Sequence, residues 1–157
     1  MDRTAPRKAI DPALATLTAT MYPTFARFVQ LAAVYLFGSV ARGEAGAESD
    51  LDLGLVFRKR GETALDHHWM LCDLASRLEA SAGGRALDLV VLESQGFLFR
   101  HRVLLDGILI YEADRARRVD FESETFSRAF DFRPTYELAT RGRLAAILRQ
   151  LARSPSR

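Results

Sequence analysis

The chain has 157 residues, of which 48% are hydrophobic and 27% charged, and its formal net charge is +2. This length and composition are typical of one globular domain, and the charge is too small to indicate nucleic-acid binding by itself. The single cysteine, Cys72, excludes an internal disulfide and suits a reducing compartment. No apolar run reaches membrane-spanning length, so we expect a cytoplasmic protein with no membrane contact and no specific nucleic-acid partner.

The N-terminal region predicts a helix. Asp11 can cap its first turn, and Pro12 suits the first helical position. The helical pattern extends to about Met21, after which Pro23 starts a second short helical piece.

Four short apolar runs predict β-strands, and each is bounded by glycine or polar residues. The second run, DLDLGLVF, alternates with period two, as in a strand with two different faces. The four predicted strands cover residues 32–37, 50–57, 86–92 and 108–111.

Helical patterns separate and follow these strands. Residues 63–82 predict a helix whose apolar stripe consists of Leu65, Trp69, Cys72 and Leu78. Residues 94–106 predict another helix, closed by a glycine. The pattern is helical again from 114 to about 151, with an interruption at Arg133–Pro134. This order of helices and strands predicts a single α/β (α+β) domain over residues 1–157. Its core is expected at about 11–112 and its helical tail at about 114–152.

Three aspartates stand in apolar strand sequences. Asp50 and Asp52 are two residues apart, so a strand would direct both side chains to one face. Asp88 has a similar setting (ALDLVV) and can complete a cluster if its strand lies beside the second one. Carboxylates held this close repel one another unless a cation lies between them, and Mg²⁺ accepts carboxylates together with substrate phosphates.

A Gly-Ser pair follows the first predicted strand. Gly38 ends the strand and allows a phosphate to approach the backbone closely, while Ser39 can begin a short helix through about Arg42. Backbone N–H groups at such a strand-to-helix junction bind anions, and the serine hydroxyl adds a donor. The turn and the three carboxylates together predict a site for a metal–nucleotide complex.

Gly38-Ser39, ten further residues and Asp50-Leu51-Asp52 match the G-S-x10-D-x-D signature of polymerase-beta-type nucleotidyltransferases, which the sequence therefore resembles. The form GSVARGEAGAESDLDLGLV is similar to the minimal nucleotidyltransferases. HRVLLDGILIYEADRARRVDFE (101–122) and FDFRPTYE (130–137) are similar to the C-terminal part of MntA-type antitoxins. In those systems the nucleotidyltransferase adenylylates a tyrosine of a HEPN ribonuclease toxin.

The resemblance implies a mixed sheet of about four strands with flanking helices. It implies that Asp50, Asp52 and Asp88 are catalytic and ligate two Mg²⁺ ions, and that Gly38 and Ser39 hold the triphosphate of ATP. Arg42 is placed to steady a phosphate, and Ser49, directly before the first aspartate, is a further nucleotide-binding candidate. The implied partner is a HEPN ribonuclease toxin, with a hetero-oligomer as the expected assembly.

Three functions stay open at this point. The first is an ATP-dependent protein adenylyltransferase that acts as an antitoxin by modifying a tyrosine of the toxin. The second is nucleotidyl transfer to a small molecule such as an antibiotic, for which so small a chain offers little acceptor pocket. The third is an antitoxin that neutralises its partner by binding alone.

Other residue patterns have simpler interpretations. His68 and Cys72 are spaced as helical neighbours but supply only two zinc ligands. Arg60 and His67 fit the loose R-x4–6-H pattern of HEPN toxins, which a chain so rich in arginine matches by chance. The arginine-rich segment 141–157 is interpreted as a solvated basic face, with partner docking as the alternative. One side of the predicted helix after residue 114 is aromatic and carries Phe121, Phe126, Phe130 and Phe132. We expect part of this side to pack on the core and the remainder to contact a partner.

Overall fold

A computed structural model of the chain describes residues 11–46 and 49–131. Its helices and strands follow in the order α1 (Pro12–Phe25), β1 (Leu31–Phe37), α2 (Gly38–Arg42), β2 (Leu51–Phe57), α3 (His68–Glu79), β3 (Leu87–Val91), a 3-10 turn (Leu92–Ser94), α4 (Phe97–Asp106) and β4 (Ile108–Glu112). Residues 115–131 form a further helix, α5. No helix in the described part of the chain combines the length and apolar character that crossing a membrane requires.

The four strands form one mixed sheet in the order β3-β2-β1-β4. β1 pairs antiparallel with both β2 and β4, whereas β3 pairs parallel with β2. The expected fold class and the expected neighbourhood of the second and third strands are therefore confirmed.

Each face of the sheet is covered by helices, because side chains alternate along the strands. On one face, Leu53 packs in a cluster with Phe25 of α1 and Leu78 of α3. On the other face, Tyr35 packs with Val103 of α4 and Phe121 of α5. The second face is the one that carries the even-numbered residues of β2, and therefore Asp52.

α1 starts as expected but continues past its proline. The Asp11 side chain accepts a hydrogen bond of 2.8 Å from the Ala13 N–H, and Pro12 is the first helical residue. Pro23 lies inside α1, which ends at Phe25, so the predicted break was wrong. Burial of Met21 and Phe25 on the sheet holds the last turn helical across the proline.

The predicted apolar stripe of the third helix was largely wrong. Leu65 and Trp69 are 89% and 83% exposed, and Cys72 is exposed as well. α3 begins only at His68, because residues 63–67 form a turn in which the Asp66 carboxylate accepts hydrogen bonds from the Thr63 N–H and hydroxyl. Of the predicted stripe only Leu78 packs on the sheet, and Leu71 and Leu74 lie beside it on that face.

Smaller differences concern the ends of elements. The helix expected over 94–106 is divided into the 3-10 turn and α4, which starts at Phe97.

On α5, Phe121 is buried and Phe130 is 65% exposed, so the aromatic side is divided between core and surface as expected. The interruption at Arg133–Pro134, the residue Phe132 and the arginine-rich segment lie outside the described residues.

A buried ion pair attaches α5 to the sheet. Arg117, 8% exposed, pairs with Glu93 of the 3-10 turn, and its Nε donates to the Phe57 carbonyl of β2 at 3.1 Å. The second carboxylate oxygen of Glu93 has no hydrogen-bond partner among the described residues. Removing Arg117 would therefore leave the Glu93 carboxylate buried without its charged partner.

We expect Arg117→Ala to destabilise the protein by about 3–5 kcal/mol, because the Glu93 carboxylate would be left buried without its partner. Urea unfolding measures this loss. The double replacement Arg117→Met, Glu93→Leu should recover most of it, since no charge then remains buried. Arg128→Ala, which breaks an exposed pair with Glu124, should cost about 0.5 kcal/mol or less. Equal losses for Arg117→Ala and Arg128→Ala would contradict this interpretation.

Candidate functional site

The parallel pairing of β2 and β3 brings two of the predicted aspartates together. Asp52 and Asp88 are direct register partners. Paired residues of neighbouring strands point to the same face, and the strands lie about 4.8 Å apart. Asp50 directly precedes β2, where the Leu51 N–H donates to the Ala86 carbonyl at 2.8 Å and fixes the start of the pairing. The three acids thus lie near one end of the second face, where the charges of Asp88 and Asp50 act on Asp52.

The electrostatics of Asp52 report this proximity. Partial burial raises the pKa of the Asp52 carboxyl, and the charges of Asp88 and Asp50 raise it further. The guanidinium of Arg42 opposes this rise. The carboxylates therefore form one mutually repelling group, which a bound cation would stabilise.

Gly38 contacts this group directly. Its φ of +74° lies in the left-handed region that favours glycine, and the residue before it, Phe37, is the β1 register partner of Asp52. A Cβ built at position 38 would lie 1.8 Å from Asp52 Oδ2. The sequence predicts glycine here for the approach of a phosphate. The structure adds that a Cβ would collide with Asp52 Oδ2 in the position that this oxygen now occupies.

α2 carries the other residues of the predicted phosphate turn. Gly38 and Ser39 are its first residues, so the N–H groups of its first turn are not used inside the helix. Arg42 Nε donates to Glu44 Oε2 at 2.7 Å, and the charges of Asp106 and Asp52 act on Arg42 as well. A cation is thus present at the turn, close to the carboxylates.

Ser49 occupies a different kind of position. Its hydroxyl accepts a hydrogen bond of 2.9 Å from the Gly46 N–H, and its own N–H donates to the Gly46 carbonyl at 3.2 Å. Its carbonyl accepts from Arg85 at 3.3 Å. Ser49 therefore closes the loop before β2, and its role toward a nucleotide stays a prediction.

The donor set fits a hard divalent cation by its chemistry. All three side chains offer carboxylate oxygens, the ligands that Mg²⁺ prefers, and the charges of Asp88 and Asp50 add to burial in raising the pKa of Asp52. With the side chains as they lie, no three acidic, histidine or cysteine side chains in the described part of the chain are close enough together to hold one ion. Coordination would therefore require rotation of these side chains.

Two alternative sites gain no support from the contacts. Cys72 Sγ and His68 Nε2 are 3.9 Å apart on the exposed side of α3, and no third ligand accompanies them among the described residues. Arg60 pairs with acidic residues of α5, while His67 Nε2 lies 2.8 Å from Glu62 Oε2. Arg60 and His67 thus have separate partners and form no joint site.

α4 contributes residues that sequence reasoning did not single out. A pocket of about 200 Å³ lies beside Gly38 and Arg42, and its other wall includes Phe99, Arg102 and Asp106. The sequence signal for these residues was weak, because it was only a phenylalanine on a helix that starts right after a glycine. The structure shows that this phenylalanine, Phe99, is partly exposed.

Several solved structures contain chains similar to this one. A chain from a toxin–antitoxin crystal structure with AMP-PNP has a TM-score of 0.54 and 21% identity, and the match covers 87% of this chain and 98% of that one. A chain from the tri-AMPylated Shewanella oneidensis HEPN toxin in complex with MNT antitoxin has a TM-score of 0.51 and 20% identity, covering 86% and 96%. A chain from the toxin–antitoxin MntA–HepT has a TM-score of 0.50 and 20% identity, covering 86% and 97%.

At these identities the similarity shows a shared fold. No curated protein matches the chain significantly. A family model described as polymerase beta, nucleotidyltransferase, matches residues 20–116. This match spans more than half of the chain and includes the whole sheet, the Gly-Ser turn and the three aspartates. The chain therefore belongs to the polymerase beta nucleotidyltransferase family.

Proposed function

We propose that this nucleotidyltransferase is an ATP-dependent protein adenylyltransferase that transfers AMP to a tyrosine of a HEPN ribonuclease toxin and thereby acts as its antitoxin. The observation that carries the proposal is the register of Asp52 with Asp88, directly beside the Gly38–Ser39 turn. Structures of similar fold include a toxin–antitoxin with AMP-PNP and a tri-AMPylated HEPN toxin with its MNT antitoxin, which supports both the nucleotide and the acceptor.

The reaction joins the acceptor hydroxyl to the α-phosphate of ATP. The new bond forms between the hydroxyl oxygen and the α-phosphorus, the bond to the β-phosphate oxygen breaks, and pyrophosphate leaves with that electron pair. A tyrosine hydroxyl has a pKa near about 10 and is mostly protonated at neutral pH. Asp88 accepts its proton as general base.

The order of the strands supports one direction for this transfer. β3, β2 and β1 are neighbours, so Asp88 and Gly38 lie on opposite sides of Asp52. The triphosphate binds at Gly38 and Ser39, so the pyrophosphate leaves on the β1 side and the acceptor approaches from the β3 side. This arrangement suits an in-line displacement.

Mg²⁺ held by Asp50, Asp52 and Asp88, as two ions, would neutralise the charge that develops on the transferred phosphate and the leaving group. Arg42 adds a fixed positive charge at the same turn and contacts the phosphates.

Because ATP is the substrate, we place the enzyme in the cytoplasm, with the toxin as its partner in a hetero-oligomer. We propose that residues 1–157 form a single nucleotidyltransferase domain.

We expect the variant Asp50→Ala, Asp52→Ala to lose AMP transfer while keeping its fold, because Asp50 is exposed, Asp52 is only partly buried, and neither belongs to an apolar cluster. The measurement is incubation of the chain with α-labelled ATP, Mg²⁺ and the cognate toxin, followed by detection of label on the toxin's tyrosine. Asp73→Ala is the matched control, since Asp73 is an exposed acid paired only with Arg77 in its described contacts.

Each outcome of this assay distinguishes one function. Label on the toxin from the wild-type chain and the control, but not from the double variant, supports the proposal. Label only on small molecules would favour the small-molecule transferase, and neutralisation of the toxin without label would favour a binding antitoxin. Transfer by the double variant at the wild-type rate would contradict the site assignment.

Asp52 should make the folded protein less stable as pH rises. Its pKa is raised in the folded state, so the folded protein holds this proton more tightly than the unfolded chain does. Stability is then highest below the unfolded-state pKa of about 4 and falls as pH increases through the raised folded-state pKa. We expect Asp52→Asn to be more stable than the wild type at neutral pH, because the amide carries no charge.

Urea unfolding without divalent cations, compared between about pH 3 and pH 7, measures this difference. It should shrink toward acidic pH, where Asp52 is protonated in both states. An Asp52→Asn variant that is less stable at neutral pH, or a difference that does not change with pH, would contradict the account of the carboxylate group.

A further inference from the structure

The pocket beside the phosphate turn has aromatic walls. It lies between α2 and α4, next to Gly38, and has a volume of about 200 Å³. The rings of Phe37 and Phe99 meet edge to face within it, with centroids 5.6 Å apart and planes at 88°. Phe99 is 40% exposed, so a large part of its ring surface faces solvent. An exposed aromatic ring beside a polar site is a suitable stacking surface for a planar ligand.

Charged groups surround this apolar space. Arg42 and Arg102 both line the pocket, as does Asp106, whose Oδ2 lies 3.6 Å from Arg102 Nε. Guanidinium groups favour the faces of aromatic rings, and a carboxylate accepts hydrogen bonds from an amino group. An apolar cavity with a few convergent polar groups is the usual form of a small-ligand site.

The position of the pocket excludes the acceptor as its occupant. Asp88, the proposed base, belongs to β3, whereas Phe37 belongs to β1, two strands away. The acceptor hydroxyl must approach near Asp88, on the side of the α-phosphate opposite to the leaving pyrophosphate. A pocket on the far side of Gly38 therefore cannot receive the acceptor's ring.

The size and surface of the pocket argue against the phosphates alone. Arg42 and Arg102 can pair with phosphates, but most of the pocket wall consists of the side chains of Phe37, Phe99 and Val103, which offer a polyphosphate no hydrogen bond. Its volume is below the roughly 300–1,000 Å³ of sites that take drug-sized ligands, and so it suits a single ring system. Its contact with Gly38 places such a ring next to the triphosphate.

We propose that this pocket holds the nucleobase of the bound triphosphate, stacked on Phe99, with Asp106 at the rim to accept a hydrogen bond from the base's exocyclic amino group. The assignment rests on the proposed function, because it uses the triphosphate position at Gly38 and Ser39. It makes Phe99 a substrate-binding residue that neither the signature motif nor the carboxylate group indicates.

The test compares binding of ATP with binding of inorganic tripolyphosphate, which has no base, by titration calorimetry with Mg²⁺. Phe99→Ala should weaken ATP binding by about tenfold or more, because base stacking on an aromatic side chain contributes about that factor. Its affinity for tripolyphosphate should equal that of the wild type. Phe99→Tyr keeps the ring and should restore ATP binding.

Leu98→Ala is the matched control. Leu98 precedes Phe99 on α4 and has a similar exposure, 43%, but does not line the pocket. Its ATP affinity should be unchanged. If wild type and Phe99→Ala bind ATP equally well, or if Phe99→Ala loses ATP and tripolyphosphate to the same extent, the base assignment is wrong. If the wild type binds neither ligand, the proposed function itself fails, so the two failures are distinguishable.

Discussion

The parallel pairing of β3 with β2 is the constraint on which the site depends. It places Asp88 beside Asp52, although the two like charges repel; burial raises the pKa of Asp52, and the charge of Asp88 raises it further. The pairing is maintained by burial of the alternate residues, Leu51 and Leu53, against α1 and α3. A shift of one residue in the register would turn these leucines to the other face and separate the acids. Core packing on one face thus fixes the carboxylates on the other.

The opposite edge of the site depends on β1 in a similar way. The antiparallel partner of Asp52 is Phe37, so the chain must turn into α2 directly over the carboxylate. Glycine at position 38 accepts the positive φ of this turn and leaves room for Asp52 Oδ2 where it now lies. The Gly-Ser turn and the acids are therefore one packed unit rather than two independent motifs. α4 then closes the β1 side and forms the aromatic pocket beside the turn.

Much of this arrangement was predictable from local sequence. The strands have short apolar runs with clear boundaries, and the spacing of Gly38, Asp50 and Asp52 indicated a candidate site before any pairing was known. The pairing of β3 with β2 was an expectation based on Asp88, and the structure confirms it. Where the signal was a strong local pattern, the prediction held.

The predictions that failed concern positions where tertiary contacts, not the local sequence pattern, determine which residues are buried or helical. α3 carries two apolar stripes, and packing on the sheet selected Leu74 and Leu78 instead of Trp69 and Cys72. Pro23 stays helical because neighbouring side chains are buried. The pocket at Phe99 joins residues from distant parts of the chain, so no local spacing could indicate it. Such features depend on the assembled fold.

The most direct test of the central claim is a crystal structure with Mn²⁺ and a non-hydrolysable ATP analogue, in which anomalous scattering locates the metal. The account predicts anomalous peaks among Asp50, Asp52 and Asp88, with the triphosphate against Gly38 and Ser39. A metal bound elsewhere, or a triphosphate that does not touch the Gly38–Ser39 turn, would contradict it.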